Sequence, residues 1–216
     1  MDNTDNSNEI TYIRRLPHIQ TANRPIFLTW RLAFNLPKAV LSEMKQMKAD
    51  FENSIKELSK DYQNIQRFQY DIKQFKWYDT QLANPDLPDV LLQTNIANIV
   101  QEALEYYHET RYELLAYSVM PNHVHVLIQL LMVDKGIVYP LAKITQNWKR
   151  YSAKQINQLL EREGTFWQAE SYDHVIRNEK EYGHFIQYIL DNPVNAGLVT
   201  SWQDWKYTWL NPKIKL

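Results

Sequence analysis

The 216-residue chain has no cysteine, only four glycines, and a formal net charge of -1. The missing cysteine excludes disulfides and thiolate metal sites, and suits a reducing cytoplasm. So few glycines leave no phosphate-cradling glycine loop. The near-zero charge excludes a generically basic nucleic-acid binder, so any anion site must be local. No run approaches the roughly 18 apolar residues of a membrane helix, so no membrane partner is expected. The first nine residues, Met1 to Glu9, lack the positive start and apolar middle of a signal peptide. Residues 1–12 read as a disordered lead-in to one domain over 13–216, and the expected location is cytoplasmic.

What is present is an apolar supply of 44 %, with seven Trp and fourteen Tyr, enough for a sizeable core. Ile26 to Phe34 reads as a first strand closed by Pro37. Residues 38–75 are charged and Gln-rich with apolar positions at helical spacing, which predicts a surface helix or helix pair inserted into the domain. Asp89 is placed to cap a helix over about 90–109. Tyr112 to Met120 is a second strand, and a turn at Pro121-Asn122 leads into a third that ends near Leu131. So short a link implies antiparallel neighbours. A helix over about 138–162 follows, then short strand segments at 166–168 and 173–177. A last helix over about 178–191 is expected to stop at Pro193. This order predicts an α+β fold, an antiparallel sheet with helices mainly on one face, ferredoxin-like.

The third strand opens with His123-Val124-His125. Residues i and i+2 share a strand face, so both imidazoles project the same way from a buried strand. Burying two such rings is costly unless they are bonded. That leaves two roles open, hydrogen-bonded core histidines or half of a metal site. On the last helix, His184, Tyr188 and Asn192 follow at four-residue intervals and share a polar stripe. A packing aromatic and a helix stop are the plainer roles for Tyr188 and Asn192. Lys135, Lys143, Lys149, Arg150 and Lys154 lie between 135 and 160 without an acidic residue, with Trp148 and Tyr151 among them. This is a solvated helix face or a phosphate-binding flank with aromatics for splayed bases. Arg14, Arg15 and Arg177 are candidates to extend it.

Several segments, in order, carry a resemblance. They are Arg14-Arg15-Leu16-Pro17-His18, Leu115 to Leu127 with its Met-Pro-Asn-His-Val-His run, Phe166-Trp167-Gln168, Tyr172 to Arg177, and Tyr188 to Val199 with its Tyr-Ile-x-x-Asn-Pro-Val-x-Ala-Gly-Leu run. By these the chain resembles the REP-associated tyrosine transposases, a single-tyrosine branch of the HUH nucleases. The resemblance implies an HUH-type fold, His123 and His125 as metal ligands, Tyr188 as nucleophile, and Asn192 where a third ligand falls. It leaves His184 and Gln187 as helpers outside the motif. It further implies Mg²⁺ or Mn²⁺ as cofactor, and metal-dependent cleavage and rejoining of single-stranded DNA through a 5′-phosphotyrosine. The partner would be single-stranded DNA with palindromic hairpins, met by a monomer or a homodimer. The alternatives are a domesticated hairpin-binding protein with little cleavage, and a phosphodiesterase in which water attacks.

Overall fold

The computed structural model describes residues 10–13, 17–20, 24–134 and 137–215. Arg14, Arg15 and Lys135 lie outside the described residues. The chain divides into two compact units, Met1–Ala33 with Asp89–Leu216, and Phe34–Pro88. The first unit is built on a five-stranded sheet. In chain order its strands are β3 (Pro25–Arg31), β4 (Tyr112–Val119), β5 (His123–Leu130), β8 (Tyr172–Val175) and β9 (Thr208–Leu210). Two small hairpins account for β1 (Ile10–Ile13) with β2 (Pro17–Gln20), and β6 (Met132–Asp134) with β7 (Ile137–Val138). β1 thus begins inside the stretch read as a lead-in. The sheet order is β8-β3-β5-β4-β9, every pair antiparallel. This is the α+β antiparallel architecture that the sequence predicts.

The histidine strand lies at the centre because its sequence is apolar on both sides. Val124, Val126, Ile128 and Leu127 are all fully buried, as a strand covered on two faces requires. Its register with β3 runs from Pro25 opposite Gln129 to Arg31 opposite His123. On β4 a bulge falls between Leu114 and Ala116. Strict alternation would set Tyr112 and Tyr117 on opposite faces; one extra residue returns both to the same face.

That face receives α3 (Thr94–Glu105) and α4 (Leu141–Leu159). Tyr112 donates its hydroxyl to the Leu104 carbonyl at 2.6 Å and accepts the Trp148 indole at 2.8 Å. Tyr117 donates to Glu105 at 2.7 Å. The Trp148 ring also stacks on Trp30 at 5.6 Å. The opposite face, the one bearing His123 and His125, receives α5 (Glu179–Asn195). There Phe185 packs on Phe27 with ring centroids 4.7 Å apart.

Several local expectations are corrected. α5 does not stop at Pro193 but runs two residues further. Only the final turn follows the proline, so one backbone bond is lost rather than a helix interior. Asp89 makes no side-chain capping bond. It precedes a short 3-10 turn, Val90–Leu92, and α3 starts later, after Gln93. The segment 166–168 is not a strand but an isolated bridge from Trp167 to Leu32. The second unit is a helix pair, α1 (Lys38–Ile55) and α2 (Lys60–Leu82), longer than the 38–75 stretch. Phe51 and Tyr70 stack between the two helices at 4.0 Å, beside an exposed Glu52–Arg67 ion pair. No helix among the described residues is long and apolar enough to cross a membrane.

Trp148 joins the sheet to α4 through a stack and a hydrogen bond while only 2 % exposed. Trp148→Ala is expected to cost about 3–5 kcal/mol of stability. Urea denaturation measures this; a loss below about 1 kcal/mol would place the ring outside the core.

Candidate metal and nucleophile site

The two strand histidines are 1 % and 0 % exposed. Their Nε2 atoms face each other at 3.0 Å. Each Nδ1 has an oxygen partner. His123 Nδ1 meets the side-chain carbonyl of Asn122 at 2.7 Å, and His125 Nδ1 meets the Thr29 hydroxyl at 2.6 Å. The Asn122 oxygen only accepts, so His123 carries its proton on Nδ1 and keeps a lone pair on Nε2. The Thr29 hydroxyl accepts equally well from His125. In that tautomer both Nε2 lone pairs point into one small space, where together they could ligate a cation.

The donor set therefore fits a divalent ion. Two ligands at about 2.1 Å from a metal, at right angles to each other, stand about 3.0 Å apart. The Nδ1–H···O contacts are the outer partners that orient ligating imidazoles and raise their basicity. Arg31, 8 % exposed, is the register neighbour of His123 and donates Nη1 to the Leu32 carbonyl at 2.9 Å.

The half-buried Tyr188 ring lies 5.5 Å from the His125 ring, at 73° to it. Phe27 sets that spacing. It is fully buried, stacks on His125 at 5.7 Å, and meets the edge of Tyr188 at 5.9 Å. Asn192 follows one turn along α5 and is 8 % exposed. The two helper candidates, His184 and Gln187, are on the same helix. His184 is exposed and lies edge-on to Phe185 at 5.7 Å. Gln187 is exposed and donates to Asp191 at 2.8 Å.

The basic flank is only partly where the sequence suggested. Trp148 is core and has no open face for a base. Lys149 donates Nζ to the carbonyls of Gln168, Ala169 and Glu170 at 3.1, 3.1 and 3.2 Å, and so holds a loop. Lys143, Arg150, Tyr151 and Lys154 are exposed along α4, and Arg177 is exposed before α5. Because α4 covers the other sheet face, its stripe is not brought to the histidines. Sequence reasoning gave no role to Thr29, Asn122, Phe27 or Arg31. Only Asn122 carried a signal, as the residue before His123 in the quoted run.

Comparison with known proteins places this geometry. The profile of the family described as "Transposase IS200 like" matches residues 89–192, which include both histidines, Tyr188 and Asn192. A Haemophilus influenzae protein, provisionally named a REP-associated tyrosine transposase, is 29 % identical over 109 residues, 48 % of this chain and 62 % of that protein. The REP-associated tyrosine transposase of Escherichia coli K12 is 28 % identical over 118 residues, 55 % of this chain and 66 % of that protein. The matches thus span a little under two thirds of these relatives. The solved structure of a REP-associated tyrosine transposase bound to a REP hairpin shares the fold. Its TM-score is 0.54 at 16 % identity, over 96 % of this chain and 95 % of that one. By its motifs, by the segment 89–192 and by its fold, the chain resembles the REP-associated tyrosine transposases.

Proposed function

We propose that this protein cleaves and rejoins single-stranded DNA beside a hairpin, with Tyr188 as nucleophile. The observation that carries this reading is the Tyr188 ring 5.5 Å from His125, on the face that also holds His123. A phenol and two convergent imidazole nitrogens are the parts that phosphodiester transfer needs. One chain supplies them all, so a monomer is sufficient.

His123 and His125 would hold the divalent ion, Mg²⁺ or Mn²⁺, with Asn192 as third ligand. When bound, such an ion neutralises phosphate charge and orients the phosphorus for attack. The chain's own residues do the rest. Tyr188 presents its oxygen at the end of a ring held by Phe27. That oxygen forms a bond to phosphorus while the bond from phosphorus to the 3′ oxygen breaks. The phenol proton ends on the departing 3′ hydroxyl. The product is a 5′-phosphotyrosine, which keeps the phosphodiester's energy, so rejoining by a 3′ hydroxyl needs no nucleotide cofactor. Arg31, beside His123, adds fixed positive charge where the phosphate sits. Lys143, Arg150, Lys154 and Tyr151 on α4, with Arg177, are read as contacts to the flanks of a hairpin.

Incubating labelled hairpin DNA with protein and Mn²⁺, then running a denaturing gel, tests this. A downstream fragment linked to the protein through its 5′ phosphate is expected, which Tyr188→Phe abolishes. His123→Ala is expected to cut the rate by about a thousandfold or more with hairpin binding retained. Retarded DNA without cleavage contradicts the reading in favour of a binding protein. Cleavage that survives Tyr188→Phe contradicts it in favour of water attack. Thr29→Val removes the His125 partner and should weaken Mn²⁺ binding about 10–100-fold by calorimetry, with the fold retained. Unchanged affinity would show that the Thr29 contact does not tune the site.

A further inference from the structure

The last helix starts from a built anchor. Asn178 caps α5 by accepting the Glu181 amide at 2.9 Å. In the reciprocal pattern a glutamate at this position reaches back to the amide of the capping residue. Here the Glu181 carboxylate reaches one residue further and accepts the Arg177 amide at 2.9 Å. The same carboxylate oxygen stands 3.4 Å from Nε2 of His174 on β8. The first turn of the helix is thereby tied to an edge strand of the sheet.

His174 is 7 % exposed and pairs with Phe27 in register, so its side chain lies on the face that carries His125. Its ring stacks on Phe185 at 4.9 Å, and Phe185 leans on Phe27 at 4.7 Å. Phe27 in turn meets the rings of Tyr188 and His125. Burial pushes the His174 pKa below its ordinary value, Glu181 pulls it up by less, and Arg177 adds to the downward push. The ring is therefore neutral at pH 7 and carries one N–H. With that proton on Nε2 it donates to Glu181. An apolar ring would fill the same space against Phe185 but could not hold the carboxylate. Tyr188 stands seven residues beyond Glu181, about 10 Å along the helix axis. A tilt of about 5° at the anchor moves it by about 1 Å over that length. A misplacement of about that size can slow a reaction about a hundredfold.

We infer that His174 is a positioning residue for Tyr188: it holds the first turn of α5 through Glu181 and so fixes where the phenol oxygen stands relative to His123 and His125. It acts through the helix and needs no contact with the reacting atoms. The Phe185 stack and the Glu181 contact grip the imidazole by its face and by its edge, so neither alone reproduces the anchor. The effect on rate rests on the reading of Tyr188 as nucleophile; the effect on ring placement does not.

The test separates placement from folding. His174→Phe keeps a ring against Phe185 and loses the Glu181 contact; His174→Gln keeps a side-chain N–H. At a temperature where circular dichroism shows the full-length variants folded, adduct formation is timed with saturating Mn²⁺ and hairpin DNA. His174→Phe is expected to slow it about 10–100-fold, with hairpin and Mn²⁺ dissociation constants unchanged within about twofold. His174→Gln should recover most of that loss. Adding His174→Phe to Glu181→Ala should cost nothing beyond Glu181→Ala alone, because the pair acts as a unit. Fluorotyrosine reads placement without catalysis: the Tyr188 fluorine signal should shift in His174→Phe and return towards its original position in His174→Gln. A rate and a signal both unchanged in folded His174→Phe would overturn the inference, as would an equal loss in His174→Gln. If His174→Phe does not fold, Glu181→Ala removes the same contact, and an unchanged signal there overturns the inference equally. Unsubstituted protein that forms no adduct, while its Tyr188 signal still answers to His174→Phe, would sink the nucleophile reading and uphold the placement.

Discussion

The pairing of β3 with β5 is the constraint on which the site depends. It sets Thr29 opposite His125 in register and close enough for a 2.6 Å contact. Two buried imidazoles without partners would cost several kcal/mol in desolvation. The contacts to Thr29 and Asn122 offset this cost and fix which nitrogen of each ring faces the shared space. The same strand carries Phe27, whose ring packs against both Tyr188 and His125. A one-residue slip of β3 would turn Thr29 and Phe27 to the opposite face and undo both relations.

Other segments hold the frame stiff. The turn before His123 is tied at three carbonyls. The Trp205 indole donates to Val119 at 3.0 Å, the Leu91 amide to Pro121 at 3.1 Å, and the Leu32 amide to Asn122 at 2.9 Å. α5 is fixed at its start by the Asn178 side chain, which accepts from the Glu181 amide at 2.9 Å. Glu181 in turn accepts from the Arg177 amide at 2.9 Å and meets His174 at 3.4 Å. Burial pushes the His174 pKa below its ordinary value, ahead of the opposing pull of Glu181. Its ring stacks on Phe185, which leans on Phe27. The helix that carries Tyr188 thus connects to the histidine strand through a continuous run of packed rings.

Local patterns were legible in the sequence; long-range partners were not. His-X-His on an apolar strand states its own geometry, because side-chain alternation needs only neighbouring residues. The meeting of Tyr188 with His125 came from the resemblance, since no periodicity relates residues 63 apart. Thr29, 96 residues from His125, was hidden because strand pairing is a tertiary fact. Trp148 misled for the reverse reason. A basic stretch with an aromatic looks like a nucleic-acid flank, yet helical spacing turns Trp148 inward with Ile144 and Ser152 and leaves Lys143, Arg150 and Lys154 outside. Pro193 misled because a proline in a final turn costs far less than one mid-helix.

The central claim is that a phenol oxygen and two imidazole nitrogens of one chain share a site able to hold a cation. Paramagnetic broadening tests it directly. With fluorotyrosine in place of tyrosine, each ring gives its own fluorine signal, and Tyr188→Phe identifies one of them. Substoichiometric Mn²⁺ should broaden the Tyr188 signal first, and His123→Ala together with His125→Ala should abolish that effect. A Tyr188 signal left sharp while tyrosines elsewhere broaden would place the metal away from Tyr188 and contradict the account.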